Sequence, residues 1–105
     1  MPEPIVITPA GELDLAGASA FRTALHDALG GASAGLIVDL SDVDFIDSSG
    51  LAVIVEADEQ MRRKHLPLAV VAPRGTAAAV LLTLAGFRRR LNVFESPAAA
   101  RRIRR

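Results

Sequence analysis

The 105-residue chain contains no cysteine, no tryptophan and no tyrosine. Without cysteine there is no disulfide, no thiolate metal site and no thiol nucleophile, and the composition fits a cytoplasmic protein. Four phenylalanines are the only aromatic residues. A groove that stacks bases or sugars on rings is therefore not expected, nor is direct nucleic-acid binding. No apolar stretch approaches the ~18 residues of a membrane span. Met1-Pro2-Glu3-Pro4 shows neither a basic segment nor the apolar segment of a signal peptide. Gly-rich phosphate loops of the Walker or dinucleotide type are missing too, so no nucleotide cofactor is expected in this chain.

What is present is apolar. Half of the residues are hydrophobic, and alanine, valine, leucine and isoleucine must build the core. The length suits one compact domain, residues 1–105. Formal net charge is zero, but the charges are segregated. Residues 1–87 hold five basic and eleven acidic side chains, whereas residues 88–105 hold seven arginines and one glutamate. Read functionally, the arginine-rich end attracts an anionic partner such as nucleic acid or a membrane surface. The plainer reading, preferred because the tail is short and lacks interleaved aromatics, is a terminal helix whose cations complement its own dipole or an acidic face nearby.

Hydrophobic periodicity orders the chain as strands alternating with helices. Ile5-Val6-Ile7 reads as a strand continuing towards Gly11-Glu12-Leu13. Residues 17–29 read as a helix with Phe21, Leu25 and Leu29 on one face, ended by Gly30-Gly31. Residues 36–40 read as a buried strand, and residues 43–46 as a second short extended piece. Residues 51–64 are the strongest helix, with Leu51, Ile54, Val55 and Met61 inward, Glu56, Glu59, Gln60 and Arg63 facing water, and Asp58/Arg62 and Glu59/Arg63 as i,i+4 pairs. Residues 68–72 are another apolar strand. Thr76 caps a helix carrying Ala77, Val80, Leu81 and Leu84 on one face, and Gly86 ends it. Leu91-Asn92-Val93 is the last strand, and Ser96-Pro97 starts a last helix running into the arginine tail. Short, apolar, non-alternating strands between helices predict an α/β fold, a short and mostly parallel sheet with about four helices packed on it.

The most informative element is Asp47-Ser48-Ser49-Gly50, a sharp strand-to-helix turn that presents two hydroxyls at a helix N-terminus, where anions are favoured. In an open α/β sheet the carboxyl ends of the strands share an edge, so Asp14 and Ser48 are expected to approach one another. A serine here can be a cap, a nucleophile or a phosphate acceptor. The nucleophile needs a base, yet His26 and His65 sit near the far ends of their helices, with His65 about 24 Å from the serine along the axis. The turn also lacks the Gly-x-Ser-x-Gly pattern of a nucleophile elbow. Asp39, Asp42, Asp44 and Asp47 form a loose acidic cluster without EF-hand spacing, read as turn residues and not as a metal site. Phosphate on Ser48 would add a charge of about −2 at a helix end that tolerates it, and would repel or displace a partner docked there. Capping by Ser48 and Ser49 is compatible with that switch.

Gly11-Glu12-Leu13-Asp14, Leu36-Ile37-Val38-Asp39-Leu40-Ser41 and Phe45-Ile46-Asp47-Ser48-Ser49-Gly50-Leu51 together resemble the STAS domain of bacterial anti-sigma factor antagonists, with matching order and spacing from about Ile5 onward. The resemblance implies a protein that is not an enzyme and needs no cofactor or metal of its own. In that family the unphosphorylated antagonist binds a kinase-type anti-sigma factor and so frees a sigma factor. The anti-sigma factor, which holds the ATP, is also the serine kinase that releases the antagonist, and a serine phosphatase resets it. Carried over, Ser48 is the phosphorylated residue, Asp14 and Asp47 flank the contact surface, and Ser49 caps the helix beside it. The alternative within the same resemblance is a non-phosphorylated STAS scaffold or subunit of a transporter or signalling complex. The chain departs from the family in its short N-terminus, which leaves a sheet edge open or paired with another chain. It departs also in Ala52, where glycine is frequent, and in its arginine tail.

Overall fold

β-branched and leucine-rich runs too short to form helices pair side by side, and the segments between them coil into helices. The computed structural model describes residues 3–102. Along the chain these are β1 (Ile5–Ile7), β2 (Gly11–Leu13), α1 (Ala18–Gly31), β3 (Leu36–Asp39), β4 (Val43–Ile46), α2 (Ser48–Arg63), β5 (Leu68–Val71), α3 (Ala77–Leu84), β6 (Asn92–Phe94) and α4 (Pro97–Ala100). One sheet has the order β1-β3-β5-β6, and β2 and β4 form a separate two-stranded sheet. Every described pairing is parallel. β1 forms one edge of the larger sheet, with β3 as its partner.

The expectation of one strand running from Ile5 towards Leu13 is corrected: it is two strands in two sheets. Pro9 brings no N–H to a ladder, and Gly11 turns the backbone at φ 81°. The neighbouring ribbon bends at the same height. There Asp39 Oδ1 accepts from the Ser41 backbone N–H at 2.9 Å and from the Ser41 hydroxyl. The Gly11 N–H donates to the Asp42 carbonyl at 3.1 Å, tying the two bends together. The bent pair β2-β4 thus extends the carboxyl end of the sheet into a small platform.

The core lies between the sheet and α1, α2 and α3. Phe21, Leu25 and Leu29 of α1 are buried as the periodicity predicts, and so are Leu51, Ile54 and Met61 of α2. Val55 is only half-buried, while Val53 and Ala57 go fully inside. β3 and β5 are buried on both faces, because α4 covers the far side through Ala100 against Ile37, Ala69 and Val71. Each large apolar side chain so placed contributes about 1.5–3 kcal/mol of transfer free energy.

Helix ends are closed by specific bonds. α1 begins at Ala18, and Gly30 and Gly31 are its last two residues. Its terminal carbonyls are met from α2, where Lys64 Nζ donates to the Leu29 and Ala32 carbonyls, the kind of partner a helix C-terminus lacks within itself. Thr76 caps α3, its hydroxyl accepting from the Ala79 N–H at 3.2 Å. Gly86 at φ 76° lets the Phe87 N–H reach back to the Leu82 carbonyl at 2.9 Å. Ser96 caps α4 in the same way, with Pro97 following it. Asn92–Phe94, one residue later than expected, forms the last strand. Of the arginine tail, Arg104 and Arg105 lie outside the described residues.

Of the two pairs expected on α2, Asp58–Arg62 is present at 2.8 Å with Asp58 buried, whereas Glu59 pairs with Arg90 at 3.3 Å and not with Arg63. The phase of α3 is also different. Ala78, Ala79 and Leu82 are buried, whereas Val80 is 53% and Leu84 79% exposed. In the run Ala77-Ala78-Ala79-Val80-Leu81-Leu82-Thr83-Leu84 only Thr83 is polar, so no polar face sets the rotation. The small Ala78 and Ala79 allow close approach to β4, and that packing decides which side turns inward. Among the described residues, no helix is long and apolar enough to cross a membrane.

Candidate functional site: the N-terminus of α2

The platform β2-β4 positions the start of α2. Leu13 is registered against Ile46, so Asp14 and Asp47 follow neighbouring strand ends. The Asp47 N–H donates to the Leu13 carbonyl at 3.3 Å, continuing the pairing to the last residue before the helix. The expected convergence of Asp14 with the serine turn is present at the level of this register. Asp14 itself accepts from the Gly17 N–H at 3.0 Å, which shapes the loop into α1.

Asp47 is extended (φ −119°, ψ −170°) and is the N-cap of α2. Its Oδ1 accepts from the Ser49 N–H at 2.8 Å and from the Gly50 N–H at 3.4 Å, and its carbonyl accepts from the Leu51 N–H. This corrects the assignment of the cap to Ser49. Aspartate caps as well as serine does, and its full negative charge also meets the positive end of the helix dipole. The helix therefore begins at Ser48, and the serines occupy its first two positions. Among the described residues, neither the Ser48 nor the Ser49 hydroxyl has a hydrogen-bond partner. They differ in access: Ser48 is exposed and Ser49 half-buried.

Gly50 explains how the helix comes so close to the platform. A Cβ at this position would strike the Leu13 carbonyl oxygen, lie 2.8 Å from Leu13 Cβ and lie 3.0 Å from Ile46 Cγ1. Beside Ser48, an open groove of about 450 Å³ runs along α2, lined by Leu51, Ala52, Val55, Glu56 and Phe87. Phe87 reaches it from the turn after α3. The sequence marks that turn by Gly86-Phe87, but nothing local to Phe87 shows that it returns to α2. Glu56 bridges to Arg22 of α1 at 2.8 Å. The hydrogen bond from Arg22 holds the Glu56 carboxyl below its ordinary range, and the same bond raises the Arg22 guanidinium.

The other sequence candidates do not converge here. His26 is exposed on α1, and His65 follows the opposite end of α2. Asp39 is turned onto Ser41 and Asp47 onto the helix. Among the described residues, no group of carboxylates and histidines is arranged to hold a metal ion.

The STAS domain model matches residues 1–100. The chain belongs to the STAS family. A candidate anti-sigma factor antagonist from Thermotoga maritima is 28% identical over 94% of this STAS chain and 89% of its own, with a TM-score of 0.78. An anti-sigma factor antagonist from Mycobacterium paratuberculosis is 25% identical over 90% of this chain and 80% of its own, also with a TM-score of 0.78. A sulfate transporter family protein from Wolinella succinogenes, at 19% identity and a TM-score of 0.74, shares the fold. No curated protein sequence matches the chain. Four helices on a mostly parallel sheet are thus the STAS fold, and its nearer relatives here are antagonists.

In this STAS domain the cap can be tested apart from the serines. Asp47→Ala removes the acceptor of two N–H groups and is expected to lower stability by about 1 kcal/mol, read as a lower midpoint in thermal unfolding. Ser49→Ala should leave the midpoint within about 0.5 kcal/mol. The reverse ranking would return the cap to serine.

Proposed function

We propose that the chain is an anti-sigma factor antagonist, one STAS domain over residues 1–105, whose binding face is switched by phosphorylation of Ser48. The observation that carries this reading is an exposed serine hydroxyl, without a hydrogen-bond partner, at the first position of a helix that another residue caps. The partner is a kinase-type anti-sigma factor that holds the ATP. The Ser48 oxygen attacks the γ-phosphorus, the bond to ADP breaks, and the hydroxyl proton leaves to a base of the partner.

Before modification, an apolar side chain of the partner enters the groove of Ala52, Val55 and Phe87, which Ser48 also lines, and Asp14, Asp47 and Ser49 of the neighbouring strand ends and helix start contact the partner as well. Afterwards a dianionic phosphate stands at that groove beside Asp47. The positive end of the α2 dipole accommodates the charge, so the fold persists. The surface, however, gains negative charge and bulk where the partner had docked. A serine phosphatase restores the binding form. The protein itself binds and does not catalyse, and it works in the cytoplasm.

Incubation with anti-sigma kinases and ATP, followed by phosphate mapping by mass spectrometry, tests the reading. Label is expected on Ser48 and not on Ser49. Absence of label on Ser48 with every kinase tried would replace the switch by a non-phosphorylated scaffold role.

A further inference from the structure

Of the arginines near the end of the chain, Arg88, Arg89 and Arg90 lie in the turn after α3 and not in the last helix. The turn after α3 is stitched to the C-terminal end of α2: Arg62 Nη2 donates to the Arg90 carbonyl at 3.0 Å, and Arg90 pairs with Glu59 at 3.3 Å. Residues 58–65 and 87–90 thereby bring six cations together with only two carboxylates, Asp58 and Glu59. Arg62 and Arg90 use those two acids, and Lys64 is engaged with α1. Arg63, Arg88 and Arg89 are exposed, with no carboxylate partner among the described residues.

Beside this patch lies the outward face of α3. Arg88 lines one groove with Val80, Thr83 and Leu84 and with the pair Arg74–Glu95, joined at 3.1 Å, and Leu84 projects at 79% exposure. Unneutralised cations next to projecting aliphatic side chains are the pattern of a surface that lies on an anionic bilayer. A nucleic acid would use the arginines but leave Val80 and Leu84 idle, and the nearby Phe87 ring is half-buried with the Arg90 guanidinium 6.0 Å from its centre. A second copy docked through this same face would bring two uncompensated arginine patches into one interface.

We propose that this edge adsorbs to an anionic lipid bilayer, with Leu84 and Val80 entering the headgroup layer and Arg63, Arg88 and Arg89 facing lipid phosphates. Arg62 is fourteen residues from Ser48, about 21 Å along the axis of α2. The C-terminal end of α2 thus lies away from the serine turn, whereas Phe87, next to Arg88, lines the groove beside Ser48.

Co-sedimentation of the full chain with vesicles of phosphatidylcholine, with and without phosphatidylglycerol, tests this. Binding is expected only with phosphatidylglycerol and is expected to fall at high salt, where exposed charges are screened. Each of Arg88→Glu and Arg89→Glu should weaken it at least about fivefold. Leu84→Ser should weaken it severalfold at unchanged charge. All three positions are exposed, so circular dichroism should show folded variants. No binding to phosphatidylglycerol vesicles overturns the proposal. Equal binding by Leu84→Ser and wild type, or retention of heparin or single-stranded DNA in place of vesicles, overturns it as well.

Discussion

Ser48→Asp is expected to weaken binding of the anti-sigma partner by about one to two orders of magnitude while leaving the fold intact. The two halves of this expectation come from the same geometry. Ser48 is exposed and its hydroxyl holds nothing in place, so replacing it removes no native contact. An aspartate at the first helical position even gains about 0.3–1 kcal/mol from the dipole at low salt. At the docking rim, by contrast, the new carboxylate stands beside Asp47 and must be desolvated or faced by the partner. A misplaced charge of this kind costs several kcal/mol at an interface, and each 1.4 kcal/mol is tenfold in affinity. Titration calorimetry with the partner gives the first number and thermal unfolding the second. Ser48→Ala should bind like the unmodified protein and take no label. If Ser48→Asp and wild type bind alike, charge at this position does not drive release.

Gly50→Ala is expected to lower stability by about 2–3 kcal/mol and to slow labelling of Ser48. The added methyl meets the Leu13 carbonyl oxygen and two further atoms of β2 and β4 at 3.0 Å or less. Backbone cannot rotate away as a side-chain tip can, so α2 must retreat from the platform, and overpacking of this kind costs about 1–3 kcal/mol. Retreat also lengthens the bond between the Asp47 N–H and the Leu13 carbonyl, which keeps Asp14 and Asp47 in register. Gly30→Ala is the control. A Cβ there meets nothing within 4 Å, and alanine in a helix is favoured by up to about 1 kcal/mol. Urea unfolding of the two variants should move in opposite directions. Equal midpoints for Gly50→Ala and wild type would mean that the platform yields.

The reading from residues alone found the parallel sheet, the inward face of α1, the caps Thr76 and Ser96, and the turn at Asp47–Gly50. Each rests on local chemistry: a β-branched run, a 3.6-residue period, a hydroxyl before a helix. It missed what depends on partners distant in sequence. The division of β1 from β2 is set by a second ribbon that bends at the same height. The rotation of α3 is set by β4, because a helix with seven apolar residues in eight has no polar side to orient it. The cap went to Asp47 and not to serine because three adjacent side chains could each have served, and only the strand geometry puts Asp47 in the extended conformation a cap requires. Phe87 beside Ser48 and the pairing of Arg90 with Glu59 likewise join segments about thirty to forty residues apart, beyond the reach of any local pattern.

The capping bond from Asp47 bears on how long the protein keeps a record. Because Asp47 and not Ser48 closes the helix, a phosphoester on Ser48 breaks no native bond and stores no elastic strain. Folding therefore offers no spring that pushes the ester off again. Hydrolysis of an alkyl phosphate without a catalyst is among the slowest reactions known. Under the proposed switch, a modified molecule therefore stays modified until a phosphatase reaches it. The domain would then act as a one-bit memory, written by one enzyme and erased by another, with a response time that belongs to those enzymes and not to its own thermodynamics.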